Sequence, residues 1–189
     1  MLARSAPVTA TLLAANVALY GLERVAYAEG HDPCRVYGLV PAHFEPSAIV
    51  TSMFLHDPST LLHVAGNVAA LGFFGGRVER VLGHARFALL YVASGVGGAL
   101  LHVLVNPGAT EPMVGASGAI WGVLAAAAVI YGRATLAFVA TLFVENLWYA
   151  FFGGGEGIAF GAHIGGFVVG FLVLQMVFEL RWLGGIRPS

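Results

Sequence analysis

The chain has 189 residues, 58% of them apolar and only 10% charged, with a mean hydropathy of +0.82. That is too little polar material to coat a water-soluble globule. Nine arginines and no lysine stand against ten acidic groups, for a net charge of -1; the arginines form no patch, which argues against nucleic acid as a partner. The one cysteine, Cys34, cannot close an internal disulfide, and no CxxC or Cys/His cluster offers zinc or iron a site, so no redox chemistry is expected.

A helix needs about 20 apolar residues to cross the hydrocarbon. In chain order, the stretches 8–25, 61–80, 87–105, 116–131, 134–152 and 158–180 meet or approach that length. The expected fold is therefore all-α, a membrane bundle of six transmembrane helices forming one domain over 1–189. The first stretch competes with a signal peptide, since Arg4, an apolar run and Ala26-Tyr27-Ala28 resemble one. Glu23 and Arg24 crowd that cut, which favours a retained span. The loop 29–60 carries Val36, Tyr37, Phe44, Ile49, Met53 and Phe54, too apolar for a solvated linker, and is expected to lie partly helical in the membrane interface. With the amino terminus inside, Arg4, Arg77, Arg80, Arg86, Arg133, Arg181 and Arg187 fall on one side, and Glu29, Asp32, Glu45, Asp57, Glu111 and Glu156 on the other. Seven of nine arginines inside satisfies the positive-inside rule and places both termini in the cytoplasm.

Polar side chains within apolar spans are costly, and each is a functional candidate. His63 and Asn67 are four apart on the second span, hence one turn from each other on one face. Ser117 lies in the run Gly115-Ala116-Ser117-Gly118-Ala119-Ile120-Trp121-Gly122 at the outer end of the fourth span, and His163 in Gly161-Ala162-His163-Ile164-Gly165-Gly166 near the same end of the sixth. Even-numbered spans run the same way, so these residues share a depth. Gly166 and Gly170 occupy the face of His163, and Gly118 and Gly122 form a small-xxx-small step beside Ser117, which lets the two helices approach to backbone contact. The hydroxyl of Ser117 then reaches the His163 ring, a nucleophile with its general base. Trp121, one turn below, is placed to stack on the imidazole. His63, Asn67 and the Ser117 amide, set where a Gly-rich loop enters a helix, are candidate donors to a developing oxyanion.

These pieces resemble the rhomboid intramembrane serine proteases. Met53-Phe54-Leu55-His56 precedes His63-xxx-Asn67; Gly76-Arg77-Val78-Glu79-Arg80, the GASGAIWG run around Ser117, and Ala162-His163-Ile164-Gly165-Gly166 follow in family order, covering residues 39–171. The resemblance implies a six-helix core, a dyad of Ser117 and His163, and an oxyanion site from His63, Asn67 and the Ser117 amide. It implies cleavage, without a cofactor, of the helices of other membrane proteins near their outer ends, so the expected partners are single-span membrane proteins and the lipid bilayer. It also suggests the fifth span and residues 153–157 as a lateral gate, where Gly153, Gly154 and Gly155 supply flexibility. Ser47 and Ala48 stand where many members carry Trp-Arg. A chain of this form suits a bacterial inner membrane.

Glu145, inside the fifth span, is a candidate for the polar lining of the substrate path or for a structural hydrogen bond. His56 and His102 read as structural contacts, and His31, His43 and His84 as surface residues. GASGA departs from the G-x-S-x-G nucleophile elbow at Ala119 and follows no strand pattern, which excludes an α/β-hydrolase. No HExxH is present and no Asp follows Asp57, which removes zinc and paired-aspartate membrane proteases. Two other readings are a catalytically silent member that binds or escorts membrane helices, and a small transporter. The latter is weakened by the lack of internal repeats.

Overall fold

The computed structural model describes residues 5–152 and 159–183. The predicted gate loop 153–157, together with Arg4, Glu156 and Arg187 of the charge pattern, lies outside the described residues. Among the described residues there is no strand beyond one bridge pair, Leu39 with Met113.

The chain opens with α1 (Pro7–Ala28), which is started by a proline whose missing N–H costs nothing at a first turn. No side chain of its own caps that end. The cap comes instead from Glu79, whose carboxylate accepts from the Val8 and Thr9 amides at 3.0 and 2.8 Å and from the Thr9 hydroxyl at 2.6 Å. His84 completes the cluster at 2.7 Å. A buried carboxylate on free helix amides and a positive dipole end is well placed, and it fixes the start of α1 beside the segment that carries Glu79 and His84. At the far end of α1, the Glu23 carboxylate accepts the His56 amide at 2.8 Å, and the Tyr20 hydroxyl donates to the Thr60 carbonyl at 3.1 Å.

The loop after α1 is partly helical, with α2 (Pro33–Tyr37), a 3-10 turn at Pro41–His43, α3 (Ala48–Thr51) and a second 3-10 turn at Ser52–Phe54. Asp32 caps α2 by accepting from the Cys34 amide. The second apolar stretch forms α4 (Leu61–Ala70) and α5 (Gly76–Leu82), joined by a π-helical turn at Leu71–Gly75. Together they give one continuous helix of 22 residues. Then come α6 (His84–Val105), α7 (Ser117–Tyr131), α8 (Arg133–Phe152) and α9 (Phe160–Leu183).

Among the described residues, three segments, Leu61–Leu82, His84–Val105 and Phe160–Glu179, are long and apolar enough to cross a membrane, and Ser117–Tyr131 is a shorter apolar helix. Single glycines, Gly83 and Gly132, separate α5 from α6 and α7 from α8, with φ of 86° and 78°. Only a residue without a Cβ adopts that left-handed turn at no steric cost. Arg77, Arg80, Arg86 and Arg133 cluster around these two turns, away from the loops after α1 and α6.

The core of the bundle is α7. Every residue from Gly118 to Ala128 is buried, as expected of a helix enclosed on all sides. A Cβ on Gly166 would fall 1.9 Å from the Gly118 carbonyl oxygen, and one on Gly170 would fall 2.3 Å from the Gly122 Cα. The matched steps of four show α7 and α9 running parallel at backbone contact. On the other flank of α9, Gly165 abuts the Gly97 carbonyl and Gly161 abuts His102, an antiparallel approach to α6. By contrast, between 133 and 148 α8 buries only Val139 and Asn146.

Candidate active site

Three helices that carry candidate residues begin at the same end of the bundle. Ser117 is the first residue of α7, His63 lies in the first turn of α4, and His163 in the first turn of α9. The parallel contact of α7 and α9 brings the Ser117 Oγ to 2.9 Å from His163 Nε2. These side chains are 46 positions apart in sequence, and they meet because Gly118 and Gly166 let the backbones touch.

Trp121 lies one turn below Ser117, its ring centroid 5.5 Å from that of His163 and tilted by 31°. It is a packing neighbour of the imidazole rather than a parallel stack. The polar partner of the ring's other nitrogen is Asn146 of α8, with Oδ1 2.7 Å from His163 Nδ1. From the sequence Glu145 is the candidate in this stretch, yet its side chain is exposed, while Asn146 reaches the ring. A signal was present: in the run Val139, Phe143, Asn146, spacings of four and three mark one helix face, and the asparagine is on that face while the glutamate is not.

His63 and Asn67 flank the loop that leads into α7. A Cβ on Gly115 would sit 2.6 Å from His63 Nε2 and 3.7 Å from Asn67 Nδ2, and Gly115 itself has φ of 122°. Both the backbone angle and the space therefore require glycine there. The Asp57 amide points at His63 Nδ1 over a long 3.4 Å. A ring accepting at Nδ1 carries its proton on Nε2, so His63 presents a donor toward Gly115. Asn67 is buried, and its Nδ2 has no protein partner among the described residues. The Ser117 amide belongs to the first turn of α7, whose N–H groups have no acceptor within the helix. His63 and Asn67 thus flank Gly115, two residues before Ser117. Next to it is a hollow lined by Met53, Gly95, Ala99, Met113, Ala159 and Ala162.

His56 is buried, 5.1 Å from His63 between ring centroids and edge-on to it. Burial, reinforced by the neighbouring His63, pushes its pKa down to about 4, so it is neutral at pH 7. Burial also pushes the Cys34 thiol up to about 12, which leaves it protonated and unreactive. His102 sits half-buried against Gly161, and His31 and His43 are exposed. His84 is exposed too, but it serves the buried Glu79.

The family described as "Rhomboid domain" matches residues 43–180. RHOMBOID-like protein 1 of Arabidopsis thaliana is 36% identical over 140 residues, 70% of this chain and 34% of that protein. Rhomboid protease GluP of Bacillus subtilis is 33% identical over 130 residues, 65% of this chain and 24% of its own length. Rhomboid protein 1, mitochondrial, of Saccharomyces cerevisiae is 28% identical over 182 residues, 85% of this chain and 50% of the yeast protein. The chain spans half or less of the length of these relatives.

Proposed function

Starting from the fact that this chain belongs to the rhomboid family, we propose that it is an intramembrane serine endopeptidase. The observation that carries the reading is the 2.9 Å approach of Ser117 Oγ to His163 Nε2 at the mouth of three parallel helices. A serine hydroxyl is a weak nucleophile until a base accepts its proton. In the proposed reaction Ser117 Oγ attacks the scissile carbonyl while its proton passes to His163 Nε2. The carbonyl oxygen becomes an oxyanion held by the Ser117 amide, His63 Nε2–H and Asn67 Nδ2–H. As the tetrahedral species collapses, the C–N bond breaks and His163 returns the proton to the departing amine. Water, deprotonated by His163, then hydrolyses the acyl-serine and restores both groups.

The buried, unpartnered amide of Asn67 supports the oxyanion assignment, because a donor left unsatisfied in a bundle costs about 1–3 kcal/mol. That expense makes sense where a charge is to be stabilised. The hollow beside Ser117 is apolar and closed in by Met53 and Met113 among glycines and alanines, so a small side chain next to the scissile bond is favoured.

Substrates are single-span membrane proteins, bent or unwound so that an extended segment reaches Ser117. Six spans with both termini cytoplasmic place the loops after α1 and α6 outside, together with the dyad. The arginines at the Gly83 and Gly132 turns support that orientation. The host membrane we propose is a bacterial inner membrane, and α8, the most shallowly packed of the long helices, serves as the lateral gate.

The test is cleavage of a purified single-span substrate by the protein in detergent. Wild type is expected to cut it, while Ser117→Ala and His163→Ala cut at background rate. Cleavage surviving in Ser117→Ala defeats the proposal. An inert wild type that still binds the substrate favours a silent helix-binding member instead.

A further inference from the structure

A histidine base works only in the right tautomer. To accept the serine proton, His163 must keep Nε2 bare and carry its hydrogen on Nδ1. In a bundle that excludes most water, that hydrogen needs a fixed acceptor, since a buried donor without one is expensive. Asn146 Oδ1 lies 2.7 Å from Nδ1, and Asn146 is itself buried, 5% exposed.

We infer that Asn146 is a positioning residue that accepts the Nδ1–H of His163 and so holds the ring in the tautomer whose Nε2 takes the Ser117 proton. The arrangement is a chain of side chains, Ser117 to His163 to Asn146, drawn from three helices, α7, α9 and α8. This inference rests on the proposed peptidase reading for its consequence, but its geometry stands alone. A neutral amide suits the location: it supplies the acceptor without the cost of putting a carboxylate in hydrocarbon. The adjacent acidic residue, Glu145, has an exposed side chain instead.

Anchoring is the second part of the observation. Between 133 and 148, α8 buries only Val139 and Asn146, and Phe143 on the same face packs on Trp121 and Phe167 at centroid distances of 6.0 and 4.7 Å. The amide that sets the base is therefore one of the few attachments of this helix. When α8 moves away from the bundle, the Nδ1–H loses its acceptor. The dyad is thus set only while α8 is docked.

The experiment uses the full chain in detergent and reads the ring nitrogens of His163 by 15N-histidine NMR, assigned by loss of the signals in His163→Gln. Wild type is expected to show Nδ1 protonated and Nε2 bare. In Asn146→Leu, of similar size but with no acceptor, the tautomers should mix. kcat should fall about 10- to 100-fold, the scale seen when an outer hydrogen-bond partner is removed, with KM little changed. Asn146→Asp keeps the acceptor and should retain the wild-type tautomer. It should also add an acid limb to the pH profile of kcat, with activity rising as the new carboxyl ionises, and this variant decides the matter should the leucine protein fail to fold. An unchanged tautomer and unchanged kcat in Asn146→Leu, or an Asn146→Asp protein with no added limb, overturn the inference. Failure of the peptidase reading is separate: a wild type that cuts nothing while its tautomer still depends on residue 146 removes the catalytic consequence and leaves the positioning role.

Discussion

A hydroxyl and an imidazole in contact make a nucleophile only if the negative charge they create has somewhere to go. Gly115 bears most directly on that requirement. Its φ of 122° and the 2.6 Å that would separate its Cβ from His63 Nε2 leave no room for alanine. Gly115→Ala is expected to displace the His63 ring and strain the turn into α7 without touching Ser117 or His163. Losing one such donor typically costs about 10²- to 10³-fold in kcat, and steady-state kinetics on a single-span substrate should show that loss with a smaller change in KM. Undiminished kcat would remove His63 from the oxyanion site. His56 supports the same corner from behind. With its pKa near 4 when folded, against 6.5 ordinarily, it stays neutral while the unfolded chain takes up a proton as the pH falls below about 6.5. The unfolded state binds more protons in that window, so stability should drop between about pH 6.5 and 4 and level off below. Melting temperatures in detergent should follow that course, and His56→Gln should flatten it.

Among the elements, the pairing of α7 with α9 decides whether the site exists. Gly166 and Gly118 meet where a methyl group would lie 1.9 Å from a carbonyl oxygen, and backbone cannot yield as a side chain tip does. Gly166→Ala must push the helices apart, at a cost of about 1–3 kcal/mol for overpacking, and must lengthen the Ser117 to His163 contact. A control comes from Gly21 of α1, where a Cβ meets nothing within 4 Å. Gly21→Ala should be neutral or gain about 0.5–1 kcal/mol from reduced backbone entropy. Parallel melts and cleavage assays test the pair: Gly166→Ala with normal activity would show that close packing is not what joins the dyad. The glycine steps were legible in the sequence because small residues four apart on one face have one strong structural meaning. The equally intimate approach of α6 to α9 was not, because Gly97 lies in a glycine run of α6 with no polar partner to mark its face, and Gly165 gains its meaning only from that contact. The anchoring of α1 by Glu79 was hidden for a different reason. A helix that lacks its own cap and a carboxylate 70 positions later are related only by the fold.

At the scale of the whole molecule, all six apolar stretches read from the sequence contain helix, with bounds shifted by a few residues, since hydropathy marks the burial of side chains and not the last hydrogen bond. The partly helical loop after α1 was legible from its apolar residues. Its internal order was not, because the short helices there depend on contacts such as the Leu39 and Met113 pairing. The convergence of Ser117, His163, His63 and Asn67 could be anticipated since each lies near the start of a helix running the same way. Asn146 shares the face of Val139 and Phe143 by its spacing, but that spacing points to the site only once the fold shows that this face of α8 meets α9.

The proposed peptidase chemistry requires a reactive serine within the bundle. Covalent labelling of the purified protein by a serine-directed phosphonate, with the modified residue located by mass spectrometry of peptides, reads that reactivity directly. A single adduct on Ser117 is expected, abolished in His163→Gln and slowed in Asn146→Leu. Labelling that persists unchanged without the histidine, or that falls on another residue, would contradict that chemistry.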